Sequence, residues 1–251
     1  MPGEPRLVIV VPCFNEEAVL PRTAQLLAGK IASLVSKGSI APQSSLLFVD
    51  DGSRDGTWAL IEQRRRDCPS LFDGLRFSAN QGHQRALLCG MIAAKNYADA
   101  VITIDADLQD DIDAIDRMVD LFRSGHEIVL GVRSGRKNDS FFKRASALVF
   151  YRVMRLLGAK LVYNHADFRL LGKQALNTLA EYSSAAPFLR GIIPRLGFKT
   201  GIVLYERKKR MAGKSKYSLR KMLALAFAGF ATCVIAGRKR KRRKFFTVSG
   251  T

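Results

Sequence analysis

The stretch that decides the fold reads Val101-Ile-Thr-Ile-Asp105-Ala-Asp107-Leu-Gln109. It is a β-rich apolar run that ends abruptly in two carboxylates and an amide. In an open α/β sheet, ligands bind outside the carboxyl ends of the strands, so Asp105, Asp107 and Gln109 are expected where a binding site should form. Such oxygen donors suit Mg²⁺ or Mn²⁺. The alternative is the acidic start of a helix, because more aspartates follow and acids are favoured at a helix N-terminus.

Two earlier apolar runs end in similar polar groups. Residues 7–11 lead into Pro12-Cys-Phe-Asn15-Glu16, and residues 46–49 lead into Asp50-Asp51-Gly-Ser53. Each run is short and continuous, as expected of a parallel strand that is covered on both faces. Taken separately, the polar segments would be a helix start and a turn. Three such strand ends in one chain favour a nucleotide-binding site over turns alone.

The order of strands and helices predicts one α/β domain with a mostly parallel sheet and helices on both faces. At 251 residues the chain is long enough for a single core of ordinary size. Predicted helices cover residues 17–34, 57–66, 82–97, 112–123, 141–157 and 173–182, and residues 36–45 form a surface loop. Four cysteines without metal-ligand spacing indicate a reduced chain with no disulfide framework.

Positive charge is concentrated in the last quarter of the chain. The net charge is +19, and residues 189–251 hold 18 Lys and Arg against a single acid, Glu206. Such a block attracts anionic partners, namely phosphates, an anionic membrane surface or nucleic acid. The alternative is a solvated basic tail without a partner.

Seven motifs occur in order along the chain. They are Val11-Pro-Cys-Phe-Asn-Glu-Glu17, Phe48-Val-Asp-Asp-Gly-Ser-Arg-Asp-Gly-Thr57, Asn80-Gln-Gly-His-Gln84, Asp105-Ala-Asp-Leu-Gln109, Gly131-Val-Arg133, Asp167-Phe-Arg-Leu170 and Arg210-Met-Ala-Gly-Lys-Ser-Lys216. In these motifs the chain resembles the family 2 inverting glycosyltransferases of the GT-A (Rossmann-like) fold, and among them the polyprenyl-phosphate type. The resemblance implies a nucleotide-diphosphate-sugar donor, with UDP as the expected nucleotide, and a polyprenyl-phosphate acceptor.

The resemblance also assigns roles to individual residues. It implies that Asp107 and Gln109, with Asp105 nearby, hold the divalent ion that bridges the donor diphosphate and acts as a Lewis acid. The residues implied around the nucleotide are Pro12, Asn15, Glu16, Asp50, Asp51, Ser53 and Asp105. Phosphate binding is implied for Arg133 and for a closing loop that contains Arg210, Lys214, Ser215 and Lys216.

Asp167 matches the position that the family places near the acceptor, and it is the candidate general base. The alternative is an ion pair with Arg169 or another cation. A phosphate acceptor is already ionised near neutral pH and therefore needs little help from a base. His83 is expected to cap or pack a helix, with contact to the donor as the weaker alternative.

The C-terminal end departs from the family pattern, in which about two membrane-spanning helices follow the catalytic domain. Here residues 222–236 form an apolar run of 15 residues, shorter than the ~20 needed to span a bilayer, and residues 238–244 form a basic cluster. We expect a catalytic domain over residues 1–221 and a shortened segment over 222–251. That segment, together with a basic amphipathic helix at 141–157, predicts peripheral association with the cytoplasmic face of an anionic membrane.

Two other functions remain as alternatives. A family 2 transferase that acts on a glycan or another hydroxyl acceptor would need Asp167 as an obligatory base. A non-catalytic basic module would bind membrane or nucleic acid through the 238–244 cluster. Intact acids at all three strand ends argue against the second alternative, so no nucleic-acid partner is expected. Association into a homo-oligomer stays open.

Overall fold

A computed structural model describes residues 3–134, 165–181 and 188–207. The strands are β1 Leu7–Cys13, β2 Ser45–Asp50, β3 Phe72–Arg76, β4 Ala100–Thr103, β5 Ile128–Arg133, β6 His165–Gly172 and β7 Thr200–Tyr205. The helices are α1 Leu20–Ser36, α2 Thr57–Asp67, α3 His83–Ala94, α4 Ala114–Arg123, α5 Lys173–Ala180 and α6 Leu189–Ile192, followed by a 3₁₀ turn at Ile193–Arg195. The predicted helix at 141–157 and the predicted C-terminal segment lie outside these ranges.

The strands form one mixed sheet in the order β3-β2-β1-β4-β6-β5-β7. β6 runs antiparallel to β4 and β5, and the other neighbouring pairs are parallel. The mostly parallel sheet predicted from the sequence is therefore confirmed. Because Thr103 near the end of β4 pairs with Arg169, residues 165–168 at the start of β6 extend past the end of β4. This register brings Asp167 to the edge where β1, β2 and β4 end.

Helices cover the sheet on both faces, as predicted. Leu7, Ile9 and Val11 of β1 belong to a core cluster that includes buried residues of α1, α2 and α4. Val8 and Val10 belong to a second cluster, built with residues of α3, α5 and α6. All seven residues of β1 are buried, which explains why the strand reads as a continuous apolar run instead of an alternating one.

Helices α1 and α4 begin two or more residues later than predicted, for local reasons. Glu17 belongs to the turn before α1, where its backbone N–H donates to Asp55 and its carboxylate accepts the Gly56 N–H. Helix α1 therefore begins at Leu20. Helix α4 begins at Ala114, after the aspartate-rich loop that follows β4. Within the described ranges, no helix combines the length and apolarity needed to cross a membrane.

Candidate active site

Asn15 and Ser53 join the loops that follow β1 and β2. The Asn15 backbone N–H donates to Ser53 Oγ at 2.9 Å, and the Asn15 side-chain oxygen accepts the Arg54 N–H at 2.9 Å. Asn15 has φ +52°, a left-handed conformation that Asn adopts more readily than most residues. The Glu16 N–H donates to Thr57 Oγ1 at 2.8 Å. These hydrogen bonds connect the two loops that are predicted to hold the nucleoside.

Asp50 and Asp51, at the end of β2, are buried and bonded within the protein. Asp50 Oδ1 accepts a backbone N–H of the following turn at 3.1 Å, and its Oδ2 lies 3.3 Å from Arg76 Nε. Asp51 accepts the backbone N–H groups of Gln81 and Gly82 at 2.6 and 2.9 Å. Burial raises the pKa of Asp51, and these two N–H groups oppose the rise. Asp51 therefore anchors the loop that leads into α3.

Asp105, Asp107 and Gln109 follow β4 in a tight loop. Between them, Leu108 has φ +55°, an uncommon conformation for a residue with a large side chain, and that side chain is buried. Asp107 Oδ1 accepts the Gln109 N–H at 3.2 Å and closes the loop. Oδ1 of Asp105 is buried and makes no hydrogen bond with the part of the chain that the structure describes. Strained backbone and an unsatisfied carboxylate oxygen both mark this loop as a functional candidate.

Asp110 connects the same loop to β5 and β7. Its Oδ1 accepts the Tyr205 hydroxyl at 2.5 Å and Arg133 Nη2 at 3.3 Å. Arg133 Nε also donates to the Tyr205 oxygen at 3.3 Å. Arg207, just beyond β7, donates to the side-chain oxygen of Gln109. The predicted phosphate ligand Arg133 is therefore held at the same edge of the sheet as the aspartates.

Asp167 lies near the start of β6 and is surrounded by donors. Its Oδ1 accepts a hydrogen bond from Arg169 Nη2 and lies 3.3 Å from Arg190 Nε. Its Oδ2 accepts Arg190 Nη2 at 2.9 Å and Gln84 Nε2 at 3.1 Å. His83 Nε2 lies 3.5 Å from the same oxygen. The predicted alternative of an ion pair is present, with two arginines instead of one, and the general-base role stays a prediction.

The electrostatics of Asp167 follow from these neighbours. Burial alone would raise its pKa, but the charges of Arg190 and Arg169 hold that pKa well below its ordinary value of 3.8. A carboxylate with so low a pKa is a weak proton acceptor. Arg169 is fully buried, and a buried cation requires a partner of opposite charge.

His83 links Asp167 to the loop after β4. It is the first residue of α3, and its Nε2 lies 3.5 Å from Asp105 Oδ1 as well as from Asp167 Oδ2. Burial alone would lower the pKa of His83, but the hydrogen bond to Asp167 and the charge of Asp105 raise it. Burial raises the pKa of Asp105 to about 6, and the charge of His83 opposes that rise. The ring therefore joins two carboxylates of the site, which the expected capping or packing role does not describe.

The structure brings most of the predicted site residues to one edge of the sheet. The loops after β1, β2 and β4 meet there, together with Arg133 and Asp167. Pro12 is buried within β1. The predicted phosphate-binding residues Arg210, Lys214, Ser215 and Lys216 lie outside the described residues.

The residues at this edge that were not predicted from the sequence include Arg190, Tyr205 and Arg207. A signal for Arg190 exists, because it is a single charge within Phe188-Leu-Arg-Gly-Ile-Ile193, and charges in apolar segments are rarely buried without a partner. Tyr205 and Arg207 carry no comparable signal. Their contacts depend on β7 lying beside β5, which is a pairing between segments far apart in the sequence.

The family model described as Glycosyl transferase family 2 matches residues 8–180, a span that contains all three strand ends and Asp167. The chain belongs to glycosyl transferase family 2. Over 248 residues it is 51% identical to the uncharacterized glycosyltransferase YkoT of Bacillus subtilis, covering 99% of this chain and 72% of that protein. Over 228 residues it is 32% identical to the prophage bactoprenol glucosyl transferase homolog of Escherichia coli, covering 90% and 72%.

The fold of this family 2 chain is similar to that of a solved enzyme. A crystal structure of glucosyl-3-phosphoglycerate synthase from Mycobacterium tuberculosis, in complex with Mn²⁺, UDP-glucose and phosphoglyceric acid, superposes with a TM-score of 0.58 at 18% identity. The match covers 91% of this chain and 78% of that one. The likeness confirms the predicted GT-A architecture.

The side chains available as metal ligands in this family 2 site suit a divalent ion that is held by the protein together with the phosphates of a substrate. In residues 3–134, 165–181 and 188–207, no group of three or more His, Cys, Asp or Glu side chains is arranged to hold a metal by itself. Mg²⁺ is usually held by one or two carboxylates together with substrate phosphates and water. Asp105 and Asp107 provide such carboxylates. Gln109 is engaged by Arg207, so it is the weaker candidate ligand.

Proposed function

We propose that the protein transfers a sugar from a UDP-linked donor to a polyprenyl phosphate, with inversion at the anomeric carbon, at the cytoplasmic face of a membrane. Membership of family 2 supports sugar transfer. The 32% identity to a bactoprenol glucosyl transferase homolog supports a lipid acceptor. The basic C-terminal quarter of the chain supports a reaction that takes place at an anionic membrane surface.

The surroundings of Asp167 are the observation that carries the choice of acceptor. A hydroxyl acceptor loses its proton during transfer, and this requires a general base whose pKa is near the working pH. Asp167 is bonded to Arg169, Arg190 and Gln84, and its pKa lies well below the ordinary value. A phosphate acceptor is already ionised at neutral pH. The arrangement therefore favours a phosphate acceptor over a hydroxyl.

The donor is proposed to lie across the ends of β1, β2 and β4. Its nucleoside would contact the joined loops that contain Asn15 and Asp50, and its diphosphate would reach the loop after β4. There Asp105 and Asp107 would hold Mg²⁺ or Mn²⁺, which when bound supplies a Lewis acid that offsets the charge of the diphosphate. Arg133, oriented by Asp110, adds a fixed positive charge on the same side.

In the proposed reaction, an oxygen of the acceptor phosphate forms a bond to the anomeric carbon. The bond between that carbon and the β-phosphate oxygen of the donor breaks, and its electron pair leaves with UDP. Negative charge therefore grows on the diphosphate, where the fixed guanidinium of Arg133 stabilises it without further reorganisation. No proton has to be transferred.

The test is transfer of radiolabelled sugar from a panel of nucleotide sugars to undecaprenyl phosphate, with Mn²⁺ or with EDTA. We expect labelled lipid from a UDP-sugar with Mn²⁺ only. Asp107→Ala should abolish the labelling. Asp113→Ala is the matched control, because that side chain is 79% exposed and pairs with Lys30 instead of facing the site.

Two results would overturn the proposal. Transfer of sugar to a hydroxyl acceptor, with none to undecaprenyl phosphate, would show that the acceptor class is wrong. Labelled lipid in equal amounts from wild type and Asp107→Ala would show that the loop after β4 does not hold the donor.

A further inference from the structure

Thr23 lies near the start of α1, is fully buried, and contacts the loop after β4 through its hydroxyl. The hydroxyl oxygen lies 2.7 Å from the carbonyl oxygen of Ala106 and 3.0 Å from that of Val19. The Val19 carbonyl already accepts the Thr23 backbone N–H at 3.0 Å, whereas no backbone N–H of the described residues donates to the Ala106 carbonyl. A hydroxyl has one proton to donate, and the nearer acceptor, Ala106, is the one that depends on it.

The Ala106 carbonyl lies between the two carboxylates proposed to hold the metal ion. It belongs to the peptide unit that joins Ala106 to Asp107, and Asp105 is the preceding residue. Because each peptide unit is planar, it can turn only as a whole about the bonds that flank it. Such a turn changes the direction of the Asp107 side chain relative to that of Asp105. A hydrogen bond to the Ala106 carbonyl therefore fixes how the two carboxylates face each other.

The loop after β4 depends on contacts of this kind. Leu108 has φ +55°, a strained conformation that persists only where the surrounding structure holds it. The side chains of Ala106 and Leu108 are buried, and Ala106 belongs to the core cluster that includes residues of α1. Hydrophobic burial is non-directional, so it fixes the place of the loop but not the way its peptide units are turned. A hydrogen bond is directional, and the one from Thr23 supplies that orientation.

We propose that Thr23 is a positioning residue for the metal ion and the donor diphosphate. Its hydroxyl holds the Ala106 peptide unit so that Asp105 and Asp107 face the ion together. The inference rests on the proposed function, since it takes these two carboxylates as metal ligands. Thr23 itself touches neither metal nor substrate in this role. Removing a group that orients metal ligands lowers metal affinity by about 10- to 100-fold.

The experiment measures the Kd of UDP by calorimetry, with Mn²⁺ and with EDTA, in wild type, Thr23→Val and Thr23→Ser. Valine has nearly the shape of threonine without the hydroxyl, so Thr23→Val should weaken UDP binding with Mn²⁺ by roughly 10-fold or more, and leave binding in EDTA unchanged. Thr23→Ser keeps the hydroxyl and should stay within about twofold of wild type. Thr200→Val is the matched control, because that hydroxyl also donates to a backbone carbonyl, at 3.1 Å, but at the start of β7.

Several results would overturn the inference. Equal Kd values with Mn²⁺ in wild type and Thr23→Val would reject it even if Tm falls, because Thr23 would then serve only stability. A loss of the same size in EDTA would show that Thr23 shapes the nucleoside site and not the metal ligands. If Thr23→Val does not fold, Thr23→Ala and Thr23→Ser decide, and equal Kd values in those two reject the inference.

Wild type alone separates this inference from the proposed function. If wild type binds UDP no better with Mn²⁺ than with EDTA, the metal site of the proposed function is wrong and the inference falls with it. If Mn²⁺ strengthens UDP binding in wild type and equally in Thr23→Val, the inference is wrong and the proposed metal site stands.

Discussion

Replacing Asp167 with Asn tests how the site is held together. The substitution keeps the shape of the side chain and removes its charge. Arg169, whose side chain is 1% exposed, then remains as a buried cation that has no ion pair with any other carboxylate of the described residues. Breaking a buried ion pair by removing one member costs about 3–5 kcal/mol. Arg190 adds little to this loss, because its side chain is more than a third exposed and solvent screens its charge.

The loss should be visible in thermal and urea unfolding. In a chain of this size each kcal/mol lowers Tm by about 2–4 °C, so Asp167→Asn should lower Tm by on the order of 10 °C. Adding Arg169→Met to Asp167→Asn removes the buried cation and should restore much of the lost free energy of unfolding. Asp120→Asn, which removes an exposed carboxylate from α4, should leave Tm unchanged.

The pH dependence of this difference has a definite sign. The pKa of Asp167 in the folded protein is depressed below 3.8 because of Arg190 and Arg169, although burial acts in the opposite direction. A depressed carboxylate pKa contributes stability above the pKa of the unfolded chain, and that contribution is lost as the pH falls through the folded pKa. The gap in unfolding free energy between wild type and Asp167→Asn should therefore shrink in acid, and because Asp167 also raises the pKa of His83, a second part of the gap should be lost as the pH rises through the pKa of that histidine. An Asp167→Asn variant with the Tm of wild type but no activity would refute the reasoning and restore the base role.

Four further substitutions test other parts of the molecule. Asp107→Ala should remove the dependence of UDP-sugar binding on Mn²⁺, measured by calorimetry with and without EDTA. Gly52→Ala should cost about 2 kcal/mol or more in urea unfolding, because Gly52 has φ +71° and an added Cβ would lie 2.6 Å from backbone atoms. Gly29→Ala, in the exposed middle of α1 with nothing near its Cβ, should instead stabilise by about 0.5–1 kcal/mol. Tyr205→Phe should cost about 1–3 kcal/mol in urea unfolding, because it removes the hydroxyl that donates to buried Asp110.

The fold could be predicted from the sequence because its parallel strands are buried on both faces. Such strands read as continuous apolar runs, and a proline or an acid stands within two residues of the end of each of β1, β2 and β4. No comparable sequence pattern indicates that β6 runs antiparallel to its neighbours. It depends on pairing with β4 and β5 across a long sequence separation, and local patterns do not report such pairings.

The site residues that could be predicted are those whose position follows from local sequence. The others depend on contacts between segments that are far apart in the sequence. Asp105 and Asp107 follow a strand directly, so their position follows from local sequence. Arg190 lies 23 residues from Asp167, in a short helix, and only the folded chain shows that the two form a pair. Whether a carboxylate in such a motif is a base or the partner of an arginine is decided by such distant neighbours, since they set its pKa.

The acidic and the basic residues of the site lie on different halves of the sheet, and this separation bears on where each substrate would bind. The parallel half supplies acids, with Asp50 at the end of β2 and Asp105 after β4. The half that contains antiparallel β6 supplies Arg133, from β5, and Arg190, which pairs with Asp167 of β6. An acidic side is suited to a metal ion and to the donor groups of a nucleoside, and an arginine side is suited to phosphates. A hydroxyl acceptor would gain nothing from the arginines, whereas a phosphate acceptor placed there would face a donor whose own charge is offset by the metal. In the proposed reaction one anion attacks another, so both charges must be balanced by the protein, and this division of acids and arginines would provide for each.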